Sequence, residues 1–374
     1  MKVYLKNSVA LLALPALLTS LSCTQPIKPM ASAEKNSLNT APTEFDNPII
    51  KYDTPDPTRQ VGAIIYTADP VALVVDDWVY LYTGHDEQTQ SGVDYRMYDY
   101  RLWASQDLMH WQNKGAVLRY SDFAWARGSE KTGNAYAGHV THRKGADGKA
   151  NYYFYTTLEG GQKDFGFAIG VAVSDKPEGP FVDPRGMPMI LLSDTAQYQK
   201  HSWRNIDPAV FIDDDGRAYL YWGNKQLWWV ELEVDLVHLK GEAYSRDASG
   251  KMLNRSTQNV NINTVDTLPN FEEAPFISKH YGRYYLTYAA GFPESLAYAI
   301  SDSPRGPWHY KGILMDPLPN TSTIHPALIN FKGDAYLFYH DAALPGGGSY
   351  RRSTCLKKLH FNADGTIQKI TFDK

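Results

Sequence analysis

Asp69-Pro70-Val71-Ala72-Leu73-Val74-Val75-Asp76-Asp77-Trp78-Val79-Tyr80-Leu81-Tyr82 carries the pattern that decides the fold. A polar residue stands before proline, a short apolar strand follows, the chain turns on Asp, and an aromatic strand returns. The same unit recurs four times. His139 leads through a turn at Asp147-Gly148 into Tyr152-Tyr153-Phe154-Tyr155. Asp207-Pro208 leads through Asp213 to Gly216 into Tyr219-Leu220-Tyr221-Trp222. Glu273-Ala274-Pro275 leads through Gly282-Arg283 into Tyr284 to Tyr288, and His325-Pro326 leads through Lys332-Gly333 into Tyr336 to Tyr339. The openings fall at 69, 139, 207, 273 and 325.

Three units share a later signal. Ser105-Gln106-Asp107 precedes Trp111, Ser174-Asp175 precedes Gly179-Pro180-Phe181, and Ser301-Asp302 precedes Gly306-Pro307-Trp308. Each reads as an outer strand that ends in a tight turn. Five such repeats, with about four short strands each and almost no helical periodicity, predict an all-β chain folded as a five-bladed β-propeller. A lone blade cannot cover both of its faces, so stacking blades around an axis buries the aromatic strands. A β-sandwich explains the strands but not five equivalent openings.

Residues before the repeat read differently. Lys2 and Lys6 precede an apolar run, Val9 to Leu18, that is too short to span a bilayer. Residues 1–33 are therefore expected to be a signal peptide or lipoprotein leader with the start of a tether. Leu21-Ser22-Cys23 resembles a lipidation site, and Ala31-Ser32-Ala33 offers an ordinary cleavage alternative. Residues 34–46 form a polar linker and 47–374 the catalytic propeller. The protein is expected to be exported, to the periplasm, to the outer membrane as a lipoprotein, or outside the cell. With Cys23 lipidated or removed, Cys355 is the only thiol and reads as a buried, inert one. A net charge of −4, with 21% of residues charged, argues against a nucleic-acid partner and leaves a lipid on Cys23 as the only membrane contact.

First strands of a propeller line the central channel and start at one end, so the five openings should converge. Asp69, Asp207 and Glu273 would then meet with His139 and His325. Clustered carboxylates raise one another's pKa, which is costly unless a protonated acid is used beside an ionised base. Glycosidic hydrolysis needs that pairing.

Those residues resemble glycoside hydrolase family 43. Its pattern appears in order as Ala68-Asp69-Pro70, Ile206-Asp207-Pro208 with Phe211 and Asp213-Asp214-Asp215-Gly216, and Glu273-Ala274-Pro275. The resemblance implies an inverting hydrolase with Asp69 as general base, Glu273 as general acid and Asp207 tuning the acid's pKa. Glu272 stands one residue off the acid's place and is expected to be solvated or bonded locally. His325 resembles a fifth-blade histidine that faces the sugar and can help hold calcium; no cofactor is otherwise expected. The Asp213–Gly216 run lacks the alternating ligands of a calcium loop and reads as a hairpin turn.

Within the family, likeness runs to arabinofuranosidases and xylosidases acting on arabinoxylan. It is carried by Tyr82 to Glu87, Ala289 to Trp308, and Leu344 to Ser353. Arg352 matches a sugar-contacting arginine. Tyr136 stands where these relatives often have Trp, and His139 replaces their Asp or Gln, so both bear on the subsite beyond the scissile bond. The expected reaction is release of terminal α-L-arabinofuranose from arabinoxylan or arabinan, or of β-D-xylose from xylan fragments. A retaining fructan hydrolase would carry a different acid motif. A sugar-binding propeller would be expected to lose an acidic opening, and this chain keeps all three.

Overall fold

The computed structural model describes residues 44–372, apart from 55–61, 88–91, 93, 129–132, 146–147, 163–164, 199–200 and 251. The leader with Cys23, most of the polar linker, and Asp147 of the second turn lie outside the described residues. Among those described, no helix is long and apolar enough to cross a membrane.

The chain is nearly all β and forms five blades. Blade I consists of β1 (Thr67–Val75), β2 (Trp78–Asp86), β3 (Met97–Ser105) and β4 (Gln112–Arg119), an antiparallel meander in chain order. Blade II has β5 (Ala135–Lys144), β6 (Ala150–Glu159) and β7 (Phe167–Ser174). Blade III has β8 (Ala209–Ile212), β9 (Ala218–Trp222) and β10 (Leu227–Leu232). A hairpin, β11 (Ala243–Arg246) with β12 (Met252–Ser256), follows before β13 (Asn263–Val265) closes the blade. Blade IV has β14 (Phe271–His280), β15 (Arg283–Ala290), β16 (Ser295–Ser301) and β17 (His309–Met315). Blade V has β18 (Ala327–Phe331), β19 (Asp334–Asp341) and β20 (Ser353–Leu359).

Two blades thus carry three strands where four were expected. In blade II the outer place falls to single bridges, Val173 with Val182 and Ile169 with Ile190, in a stretch where Pro180, Pro184 and Pro188 remove ladder donors. In blade V the N-terminal segment takes it: Ile49 N–H donates to Thr354 O at 2.9 Å, and the Asn47 side chain bonds both backbone groups of Leu356. The inserted hairpin was not anticipated. A buried ion-pair network holds it, in which Arg185 and Arg255 both reach Glu242 and Arg255 also reaches Asp194.

The aromatic runs are continuous because second strands are buried on both faces. Alternation sends Tyr219 and Tyr221 toward blade IV, where they pack with Ile277 and Leu286, and sends Leu220 and Trp222 toward blade II, where they meet Tyr155 and Ile169. The repeated serines end the third strands. Ser105, Ser174 and Ser301 each accept on Oγ the N–H of the residue two ahead. Cys355 is free and buried, and Asp213–Gly216 is the β8–β9 turn, closed by Gly216 N–H to Asp213 O.

Candidate active site

A kink at the start of the first strands builds the site. Pairing of β1 with β2 breaks between Ala68 and Val71, and β14 with β15 breaks on both sides of Glu273. Asp69, Asp207 and Ala274 all take positive φ (47°, 58° and 54°), and each precedes a proline. Proline disfavours the right-handed helical region for its predecessor, and a side chain at positive φ is strained, so packing and hydrogen bonds must hold these turns. Each has such a clamp from the preceding blade. Asp69 N–H donates to His340 Nδ1 at 3.2 Å, Asp207 N–H to Thr157 Oγ1 at 3.1 Å, and Ala274 N–H to Asp207 Oδ2 at 2.9 Å. The structural counterpart of Asp69 and Asp207 is therefore Ala274. Glu273 comes one residue earlier than the repeat implied, and the double break in pairing still turns it into the cavity.

The cavity, about 380 Å³, is lined by Asp69, Asp207, Glu273, Glu294, His325 and Arg352 among others. Arg352 forks onto Asp86, with Nε to Oδ2 and Nη2 to Oδ1 both at 2.9 Å, and sends Nη1 to Asp69 Oδ1 at 2.7 Å. His325 Nε2 lies 3.2 Å from Asp207 Oδ2 and 3.9 Å from Asp69 Oδ1. Asn224 Nδ2 donates to Glu273 Oε2 at 2.7 Å.

These contacts split the carboxyl groups electrically. Burial alone would raise Asp69, but the Arg352 and His325 charges outweigh it and hold Asp69 well below the usual carboxylate range. Burial, reinforced by the Asp207 charge, pushes Glu273 up to about 7. Burial disfavours charge on His325, yet the Asp69 and Asp207 carboxylates push it up to about 9. One carboxyl of the cavity is thus kept ionised while another keeps its proton, the division that acid–base hydrolysis of an acetal requires.

Asp207, Glu273 and His325 also place ligand atoms within 4.8 Å of one another, the spacing of a cation site. Calcium takes about six to eight oxygen ligands. These residues offer two carboxylates and one imidazole, so they would supply only part of such a shell.

Of the residues expected to bind sugar, Tyr136 lines the cavity with its hydroxyl accepting from Asn134 Nδ2 at 2.8 Å. His139 does not line it. Its ring is buried against Phe276, because the break in β5–β6 pairing between Ala135 and Gly138 presents Ala135, Tyr136 and Ala137 instead. Glu272 is bonded by Lys225 at the rim, the local pairing expected of it. Asp86, Asn224, Glu294, Tyr95, Trp203 and Phe292 were not singled out. Asp86, Phe292 and Glu294 lie inside segments that carried the resemblance, but residue type alone did not distinguish them from their neighbours.

A five-bladed propeller with this ionised–protonated carboxyl pair at the cavity defines a glycoside hydrolase. The chain belongs to the glycosyl hydrolases family 43, whose family model matches residues 45–367. A xylosidase/arabinosidase from Bacteroides ovatus is 32% identical over 82% of this chain and 95% of its own length. An arabinoxylan arabinofuranohydrolase from Bacillus subtilis is 31% identical over 81% of this chain and 62% of its own. Among solved structures, CoXyl43, a β-xylosidase/α-arabinofuranosidase from a compost metagenome held with xylotriose in calcium-free form, superposes with a TM-score of 0.63. It is 30% identical over 82% of this chain and 94% of that one.

Proposed function

We propose that this chain is an inverting pentosidase that releases terminal α-L-arabinofuranose from arabinoxylan or arabinan. One observation carries the chemistry: a single cavity is lined both by Asp69, held ionised by Arg352 Nη1 at 2.7 Å, and by Glu273, which burial and the Asp207 charge push up to about 7. Asp69 takes a proton from water as its oxygen attacks the anomeric carbon. On the opposite face Glu273 gives its proton to the glycosidic oxygen, and the carbon–oxygen bond breaks. Asp207 keeps Glu273 protonated by its charge, and the His325 and Arg352 cations keep Asp69 from competing for that proton. Inversion expects the Asp69 and Glu273 carboxyls to stand about 6.5–9.5 Å apart, with room for the water.

A second reading, β-D-xylosidase action at the same cavity, is favoured by relatives whose names join both activities and by the xylotriose held in CoXyl43. Rates on aryl α-L-arabinofuranoside and aryl β-D-xyloside, with the anomer of the first-formed product followed by NMR, separate the readings. Faster turnover of the xyloside would reverse the preference, and a retained anomer would make Asp69 a nucleophile.

Export with a lipid on Cys23 belongs to the same proposal and rests on residues 1–33 alone. Labelled palmitate should enter the wild-type protein and not Cys23→Ser; equal labelling of both would remove the anchor.

A further inference from the structure

Beside Glu273, on the wall of the same cavity, stands a buried acid with no part in the scheme above. Glu294 follows Gly291-Phe292-Pro293 in the β15–β16 turn, lines the cavity and is 3% exposed. Its backbone N–H donates to Ser322 O at 3.0 Å, and its Oε2 accepts the Ile324 N–H at 2.7 Å. Backbone and side chain of Glu294 are thus each tied to the segment that delivers His325. Its carboxyl lies beside that of Glu273 on the wall of the same cavity. Two carboxyl groups brought together in this way share a hydrogen bond only if one of them carries the proton.

Two arrangements are open. An ionised Glu294 would act by charge, as Asp207 does, and hold Glu273 protonated. A protonated Glu294 would instead donate its O–H to Glu273 and favour the charge that appears there when the acid gives its proton away. Surroundings decide between them. Among the described residues Ile324 N–H is the donor that reaches the Glu294 carboxyl, and no cation pairs with it. The ionisable groups acting on it are the Glu273 and Asp207 carboxyls, and it in turn acts on the Tyr95 phenol. The Arg352 and His325 charges are engaged by Asp69, Asp86 and Asp207.

We propose that Glu294 is a positioning residue of the general acid: a permanently protonated carboxyl that orients Glu273 and donates a hydrogen bond to the carboxylate formed as Glu273 protonates the leaving oxygen. Its own proton stays on Glu294 throughout, so the transferred proton is the one that leaves Glu273. Burial with the neighbouring carboxyls holds Glu294 well above the usual carboxylate range, in line with this state. The proposal rests on Glu273 being the acid.

Glutamine reproduces a protonated carboxyl here, its oxygen accepting from Ile324 and its amide donating to Glu273. Leucine fills the space and supplies no donor. Glu294→Gln should lose only a few-fold in kcat, with the alkaline limb of the pH–rate profile in place. Glu294→Leu should lose about 10–100-fold, below the ~10²–10³ of a donor aimed at a reacting oxygen. Its alkaline limb should move upward, because the ionised form of Glu273 has lost a donor. The Glu294→Leu loss should be larger on poor leaving groups than on good ones, which a merely structural defect would not produce. A downward limb in Glu294→Gln would show that Glu294 acts by charge and would overturn the proposal, as would equal losses for both variants with leaving-group dependence unchanged. Failure of Glu273 itself as the acid would appear separately, as Glu273→Ala losses that ignore the leaving group.

Discussion

As the proposed general acid, Glu273 has to keep its proton until the leaving oxygen takes it, and its surroundings set when that is possible. With Glu273 titrating at about 7, kcat/KM should fall on an alkaline limb near that pH in wild-type enzyme. Asp207→Asn removes a charge that disfavours ionisation of Glu273, so the limb should move to lower pH while both acid and base remain; an unmoved limb would remove Asp207 from this role. Glu273→Ala should lower activity by about 10²–10⁴ on natural glycosides and much less on aryl glycosides whose leaving group needs little protonation. Asp69→Ala should fail on both substrates, since water needs a base whatever departs, and added azide should restore part of the turnover. Equal losses for the two variants across leaving groups would cancel the division of labour.

At the scale of the strand, proline and the kink before it aim these side chains. Ala274 is 1% exposed, sits at φ 54° and donates its N–H to Asp207. A β-branched side chain tolerates that backbone poorly. Ala274→Val should cost about 1–3 kcal/mol of stability. It should also lower kcat, because a relaxed kink swings Glu273 off Asn224 and away from Asp207. Denaturant unfolding and kinetics on one preparation check both effects. Loss of stability with unchanged kcat would show that the kink supports the strand without aiming the acid.

The ring as a whole closes where the N-terminal segment lies along β20 and where Thr354 bonds Thr67 across blades V and I, N–H to Oγ1 and Oγ1 to O, both at 3.0 Å. Asn47 supplies two of the closing bonds, Nδ2 to Leu356 O at 3.0 Å and Leu356 N–H to Oδ1 at 2.8 Å. Asn47→Ala leaves both backbone groups of Leu356 wanting and should cost about 1–3 kcal/mol with little change in kcat. The buried site also links global stability to pH. Burial and neighbouring charge push folded Glu273 up to about 7 from the ordinary 4.5, and the flanking carboxylates push folded His325 up to about 9 from 6.5. Both values are raised, so each group contributes stability fully present below its unfolded pKa and lost as pH rises through the folded one. Glu273→Gln should therefore flatten the stability loss between about pH 4.5 and 7 and leave the His325 part, between 6.5 and 9. An unchanged slope in urea titrations across the lower range would contradict the raised Glu273 value.

Blade number, the aromatic second strands, the serine turns and the three acidic openings were all legible in the sequence. Each rests on local chemistry: alternation, proline and turn residues are written in consecutive positions. The resemblance of Asp69-Pro70, Asp207-Pro208 and Glu273-Ala274-Pro275 to one family then ordered the acids. Tertiary structure decided what depends on neighbours distant in the chain. Pairing breaks let Glu273 enter the cavity one residue ahead of its repeat position and turned His139 away. Blade V borrows its outer edge from the N-terminal segment, and a hairpin grows from blade III, neither of which any repeat spacing announces. Asp86 and Glu294 read as ordinary acids until the fold buries them, one under the Arg352 fork and the other against Glu273. Ionisation follows the same rule: a sequence names the carboxyl groups, but which of them holds a proton depends on burial and on charges brought from other blades.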